Sequence, residues 1–266
     1  MLSLQQVTVR HGKNTVLSDL SFSIEPGEFV CIVGDGGSGK TSLLSLFIGA
    51  ENPSAGTVEV DGVDLRVIPP PAMQLYRRRV GMVFQDRKLL PHRTVAENVA
   101  FPLEAGEMND RTIRKRVPAV LTYLGLEGKA RAFPQELSAG EQARVALARA
   151  IIHKPAILLA DEPLADLDPV QAKLVLKVLR DLHTLGSTVV LATHDAALAA
   201  ALKARTITLK DGRAFDSARR QDPPAQASAP AEPTTEEEVT KAQRKAVSRI
   251  HPEPGRRVKI TSIGAL

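Results

Sequence analysis

Residues 34–41 read Gly34-Asp35-Gly36-Gly37-Ser38-Gly39-Lys40-Thr41, and no other stretch limits the possible folds as much. The spacing G-x-x-x-x-G-K-[ST] makes a loop whose glycines let backbone N–H groups close around an anion. Such a loop works between a strand and a helix, and both flanks fit. Glu28-Phe29-Val30-Cys31-Ile32-Val33 is a short apolar run suited to a buried strand, and residues 42–48 carry apolar side chains at helical spacing, with Gly49 placed to end the helix. A helix starting here points partial positive charge at bound phosphates. The pattern sends Lys40 to the β/γ-phosphates and the Thr41 hydroxyl to Mg²⁺, with Ser42 beside them in the same turn. The competing reading, a glycine-rich turn that matches by chance, does not explain why strand and helix stand on either side. The loop binds a nucleoside triphosphate but does not say to what end.

Composition narrows the uses of such a loop. With 266 residues, 43% of them hydrophobic and 24% charged, the chain can bury one large core or two small ones. Aromatic residues make up 3% and Trp is absent, which leaves no stacking platform for single-stranded nucleic acid. Cys31 is the only cysteine, so no internal disulfide can form; a small core hydrophobe in a reducing compartment is the expectation. No apolar run approaches the length of a membrane span, so the chain is expected to reach a membrane only through a partner. The net charge of +5 is concentrated in residues 217–266.

The chain opens with alternation at Leu2, Leu4, Val7 and Val9, a turn over residues 11–14, and a second strand to Ile24. Asp61-Gly62 signals a hairpin after a strand over residues 57–60. A strand over residues 80–84 ends at Gln85, and a mostly helical stretch to about residue 155 follows, including helices over 111–124 and 141–153. Apolar strands at 156–160 and 188–192 enclose a helix over 170–185, an order that argues for a parallel α/β sheet. A last strand over 205–209 and an Asp211-Gly212 turn close the folded part. The expected organisation is one α/β domain over residues 1–216, with a mixed sheet core, an antiparallel β subdomain and a helical subdomain at about 87–155. A Pro/Ala-rich linker over 217–233 and a basic extension over 234–266 complete it.

A second chemical element stands at Ile157-Leu158-Leu159-Ala160-Asp161-Glu162. A buried strand would deliver Asp161 rigidly to the metal region, and Glu162 could orient or deprotonate an attacking water. Alone, two acids at a strand end are a common surface feature; beside a phosphate loop they carry weight. Taken with Gln85, Leu137-Ser138-Ala139-Gly140-Glu141, Asp166-Leu167-Asp168 and His194, the order resembles ABC-type ATPases over residues 1 to about 215. Residues 83–90 and 93–99 look most like the FtsE-type cell-division branch. Residues 101–103 and 158–163 also fit lipoprotein-release and macrolide-export branches.

The resemblance implies a P-loop NTPase of ABC type that uses ATP and Mg²⁺. Gly34, Asp35, Gly36, Gly37, Ser38, Gly39, Lys40, Thr41 and Ser42 would hold the phosphates, and His11 would stack on the base. Thr41, Gln85 and Asp161 would organise the metal and the water; Glu162 would be the catalytic carboxylate and His194 a γ-phosphate switch. Ser138 and Gly140 would complete the site of a second copy, so the working form would be a homodimer. Its expected partner is an integral membrane protein, an FtsX-like permease, which would hold it peripherally at the cytoplasmic face of the inner membrane. No nucleic-acid partner is expected.

Departures from the family pattern are Asp35 and Gly36 in the loop, Ala139 for the first glycine of the signature, and His11 where an aromatic ring is commoner. Ala139 would be a poor substitute if its position needed positive φ and harmless otherwise. These changes suggest an alternative, a nucleotide-gated scaffold that does not hydrolyse. The tail over 217–266 is either a solvated extension or a docking segment.

Overall fold

The computed structural model describes residues 1–218, so the linker and basic extension expected beyond them lie outside the described residues. Within that range the chain forms two compact units, one built from Met1–Pro26, Val30–Tyr76 and residues from 194 onward, the other from Gly27–Phe29 and Arg77–Thr193.

The first unit starts with β1 (Leu2–His11) and β2 (Asn14–Ile24), an antiparallel pair whose tight turn sets His11 opposite Asn14. Then follow β3 (Phe29–Val33), the phosphate loop, α1 (Lys40–Phe47), β4 (Ala55–Val60), β5 (Val63–Asp64) and α2 (Pro70–Arg77). The antiparallel order is β2-β1-β4-β5. Leu2, Leu4, Val7 and Val9 of β1 are all buried; a bulge between Leu4 and Val7, with Gln6 at φ +51°, keeps both sides of the interruption on the core face. Asp61 and Gly62 take φ of +52° and +74°. Positive φ at both positions is the type I′ geometry whose twist matches the strands it joins.

The second unit contains β6 (Val80–Val83), α3 (Val95–Ala105), α4 (Asp110–Tyr123), α5 (Ala139–Ile151), β7 (Ile157–Asp161), α6 (Pro169–Thr184) and β8 (Thr188–Thr193). β6 and β8 flank β7, all parallel, with Met82 beside Leu159 and Leu159 beside Val190. Their near-continuous apolar runs are buried on both faces, as in a sheet covered by helices. The helices start where side chains can satisfy the first free amides. Thr94 caps α3, Asn109 caps α4, Ser138 caps α5 and Asp168 caps α6. Pro118 lies inside α4 without ending it.

The chain then returns to the first unit through α7 (Ala196–Leu202), β9 (Arg205–Lys210) and β10 (Arg213–Asp216). β9 runs parallel to β3 and antiparallel to β10. A second Asp-Gly hairpin, Asp211-Gly212, joins β9 to β10, and the Gly212 carbonyl accepts from Ser18 N–H at 2.7 Å. Helices α2 and α7 have no counterpart in the sequence expectation; α2 starts at Pro70-Pro71, which reads as a break, and α7 is a seven-residue run of Ala and Leu with no polar face to mark a helical period.

Candidate functional site: a triphosphate cradle and a carboxylate loop

In the first unit β3 carries Val30, Cys31 and Ile32 with no exposed surface, so the loop springs from a rigid base. Burial pushes the Cys31 thiol up to about 11, so it stays protonated and inert. Ser38 N–H donates to the Asp35 carbonyl at 3.1 Å and closes the loop. Lys40 is 7% exposed and folds back onto the loop, its Nζ donating to the Gly34 carbonyl at 2.7 Å and the Asp35 carbonyl at 3.1 Å. Asp35 itself is exposed; its carbonyl, not its carboxylate, takes part in closing the loop.

Two glycines here are dictated by geometry. A Cβ on Gly34 would lie 2.4 Å from Ser38 Oγ and 2.6 Å from the Leu209 carbonyl oxygen. Gly39 has φ +98° and is the N-cap of α1, with no side-chain cap and no acid in the first turn. A helix start without a side-chain cap or acid is the arrangement at which an anion can bind. Ser38 Oγ is buried with no hydrogen-bond partner among the described residues. An anion in the loop would satisfy it, so the residues present fit a polyphosphate. Thr41, at the exposed start of α1, and Ser42 next to it supply hydroxyl oxygens.

Two further first-unit residues of the sequence pattern, His11 and His194, lie outside the loop in sequence. His11 Nε2 is hydrogen-bonded to Glu51 Oε1 at 2.5 Å, so a carboxylate fixes the edge of the ring expected to stack on a base. His194 is exposed and immediately precedes Asp195, which caps α7 by accepting from Leu198 N–H at 3.0 Å.

In the second unit β7 delivers Asp161 at 2% exposure. Glu162 follows with φ +45°, and its N–H donates to the Ala192 carbonyl at 3.0 Å. A non-glycine residue held in this region costs on the order of 1–3 kcal/mol and marks positions where the surroundings overrule local preference. The turn continues through Asp166, at φ +62°, to Asp168, whose Oδ1 accepts from Val170 and Gln171 N–H at 2.8 and 2.9 Å. Asp168 thus caps α6. Gln85 is exposed just beyond β6.

Ser138 and Glu141 form a reciprocal capping box: Ser138 Oγ accepts from Glu141 N–H at 3.2 Å, and a Glu141 carboxylate oxygen accepts from Ser138 N–H at 2.8 Å. The Ser138 N–H and then Lys129 Nζ, at 3.1 Å, hold the Glu141 carboxyl below its usual range. The Ser138 hydroxyl accepts in this box, and its own hydrogen bond to the Glu141 carboxylate also helps hold that group down. Gly140 is buried against the Gln171 side chain. Ala139 is the first residue of α5 and is not among the positive-φ residues, so alanine is harmless there.

The sequence reading missed the capping boxes of α3 and α5, although T-x-x-E and S-x-x-E are visible at Thr94–Glu97 and Ser138–Glu141. It also missed Arg149 and Asn98, which organise the segment after Gln85. Arg149 donates to the carbonyls of Arg87 and Lys88. Asn98, fully buried, bonds the backbone of Leu90, Arg93 and Thr94.

The donor set proposed for a metal, one hydroxyl, one amide and one carboxylate, is made of hard oxygen ligands and suits Mg²⁺, which keeps several waters and binds through substrate phosphates. Among the described residues no cluster of three or more His, Cys, Asp or Glu offers a separate metal site.

Comparison with known proteins agrees with this chemistry. The sequence model of the family described as ABC transporter matches residues 17–165. The cell division ATP-binding protein FtsE of Bacillus subtilis is 43% identical, over 74% of this chain and 86% of that protein. FtsE of Escherichia coli is 42% identical, over 76% and 90%, and FtsE of Mycobacterium tuberculosis 39% identical, over 80% and 94%. Among solved structures, the dimeric bacterial ABC transporter cassette MJ0796 superposes with a TM-score of 0.75 at 36% identity, covering 80% of this chain and 96% of that one. The same cassette in a post-hydrolysis state with ADP and Pi matches equally well. The α/β fold, the phosphate loop and these relatives agree: the chain belongs to the ABC transporter family, as an ATPase cassette similar to FtsE.

Proposed function

We propose that this chain is the ATP-hydrolysing subunit of a cell-division membrane complex and works as a homodimer on an FtsX-like integral membrane partner. The observation that carries the chemistry is the contrast between buried Asp161 and the following Glu162, held at φ +45° at the end of β7. The names of the FtsE relatives support the division role, and the dimeric cassette MJ0796 supports the homodimer. No helix among the described residues is long and apolar enough to cross a membrane, which suits peripheral attachment through the partner at the cytoplasmic face of the inner membrane.

The residues divide the work as follows. Gly34–Thr41 wrap the phosphates with backbone N–H groups; Lys40 exchanges its loop carbonyls for phosphate oxygens; Ser38 Oγ gains the partner it lacks, and Ser42 adds a hydroxyl. His11, fixed by Glu51, packs against the base. Mg²⁺, when bound, offsets charge on the β- and γ-phosphate oxygens. Thr41, Gln85 and Asp161 would hold it. Glu162 orients the attacking water and accepts its proton, and His194 donates to the γ-phosphate. Ser138 and the start of α5, including Gly140, present a hydroxyl and backbone amides to the γ-phosphate of the second copy. ATP therefore closes the dimer, and hydrolysis removes the group that holds it closed.

Glu162→Gln tests this. The variant should bind ATP with unchanged affinity, dimerise on ATP and lose turnover by about a hundredfold or more. Turnover at the level of the parent protein would remove Glu162 from the chemistry. Recovery of the chain from detergent-solubilised membranes with a lipoprotein-release or exporter permease, and not a division protein, would keep the enzyme and replace the cargo.

A further inference from the structure

The segment that follows Gln85 adopts a backbone its residues do not favour. Arg87 and Lys88 have φ of +59° and +42°, two successive non-glycine residues in a region that L-residues seldom occupy. Two local bonds accompany it: Arg87 N–H reaches the Phe84 carbonyl at 2.9 Å, as in a β-turn, and Lys88 N–H reaches the Asp86 carbonyl at 2.6 Å, closing a three-residue turn about Arg87 whose positive-φ form is rare and strained and so calls for support from outside the turn. The exceptional feature is Arg149, in the last turn of α5, more than sixty residues away in sequence. Its two terminal nitrogens divide between two consecutive carbonyls, Nη2 to Arg87 at 2.8 Å and Nη1 to Lys88 at 2.7 Å. A planar guanidinium presents its donors in a rigid fork that can hold two neighbouring carbonyls in a fixed relation. The Arg87 guanidinium in turn reaches Asp166 Oδ2 at 3.3 Å, in the loop that follows Glu162.

We propose that Arg149 is a positioning residue that holds the left-handed backbone at Arg87–Lys88 and thereby fixes Gln85. Two anchors then bound the segment. Arg149 holds residues 87–88, and Asn98 holds residues 90–94 by accepting from Leu90 N–H at 2.8 Å and donating to the carbonyls of Leu90, Arg93 and Thr94. Gln85, exposed, lies between the end of β6 at Val83 and the clamp at residues 87–88. Since α5 begins at Ser138 and carries Arg149 in its last turn, one helix links the residues proposed for the second copy's phosphate to those proposed for the water. The link to catalysis rests on the role proposed for Gln85; the clamp itself does not.

The test is Arg149→Lys, which keeps the charge and loses the fork. Turnover at saturating MgATP should fall tenfold or more while KM for ATP changes less than threefold. Amide hydrogen exchange over residues 86–90 should quicken tenfold or more while amides in the middle of α5 keep their protection. Adding Lys88→Gly to Arg149→Lys should recover at least threefold of the lost turnover, because glycine takes positive φ without a clamp. Unchanged exchange over 86–90 would overturn the proposal, as would exchange that quickens evenly through the whole unit with kcat and KM falling in parallel. Should Arg149→Lys fail to fold, folding restored by Arg87→Gly with Lys88→Gly supports the clamp, and continued failure overturns it. Gln85→Ala separates the two ideas: wild-type turnover there removes Gln85 from catalysis, whereas the exchange measurement judges Arg149 without ATP.

Discussion

Helices α1 and α5 both begin at residues assigned to phosphate, and they begin in opposite ways. α1 starts at Gly39 with no side-chain cap and no acid in its first turn. α5 starts at Ser138 inside a full capping box, with Glu141 accepting the N-cap amide. An uncapped N-terminus is a standing cost unless an anion meets its amides, so α1 is built for a ligand always expected. A capped N-terminus is satisfied alone, so α5 is built to be stable whether or not a second copy's phosphate arrives. The difference suits a composite site in which one half holds nucleotide and the other half joins and leaves.

The strongest way to break this contrast is to give α1 a cap. Gly39→Ser places a side chain at φ +98° with its Cβ about 2.5 Å from Leu17 Cδ2. Strain and crowding should cost about 2–3 kcal/mol of stability, and ATP affinity by titration calorimetry should fall about tenfold or more. Unchanged ATP affinity would show that the uncapped start of α1 is not the anion site.

Removing the other cap should do something different in kind. Ser138→Ala should lower stability by about 1 kcal/mol, seen as a Tm lower by about 2–4 °C. ATP affinity of the single subunit should stay within about twofold of the parent, while ATP-driven dimerisation and turnover drop. Loss of ATP affinity in the single subunit would place Ser138 in the wrong half of the site.

The smallest effect is electrostatic. Glu141 has a folded pKa below its ordinary value because it accepts the Ser138 N–H and then meets Lys129. A depressed carboxylate contributes stability that is fully present above the unfolded value, near pH 4.3, and lost as pH falls through the folded value. Acid unfolding of the parent should therefore be steeper below about pH 4.3 than that of Glu141→Gln. Equal slopes would mean that the carboxylate adds nothing beyond the hydroxyl.

Much of the first half-site was legible because its determinants are local. Glycines at Gly34 and Gly39, an apolar strand before them and a helical run behind them lie within about twenty consecutive residues. The Asp61-Gly62 and Asp211-Gly212 turns were equally readable, since a type I′ turn is chosen by its own two residues. The second half-site was legible mainly as a list of residue types. That Glu162 and Asp166 take positive φ follows from the path of the chain, whereas the caps at Asp168 and Ser138 are local and readable as patterns. His11 shows the limit most plainly, because its partner Glu51 lies forty residues away and neither residue announces the other.

The sequence by itself determined where an anion is held, which strands are buried, and which acids could serve the chemistry, because glycine freedom, apolar runs and residue type act over short stretches of chain. Tertiary structure alone decided that Arg149 meets the carbonyls of Arg87 and Lys88, that Asn98 ties residues 90–94, and that Ser38 Oγ is left waiting for a ligand. The physical reason is the same in each case. A strained backbone or an orphaned polar atom is stable only when distant parts of the chain are brought against it, and no local pattern of residues records which distant part that will be.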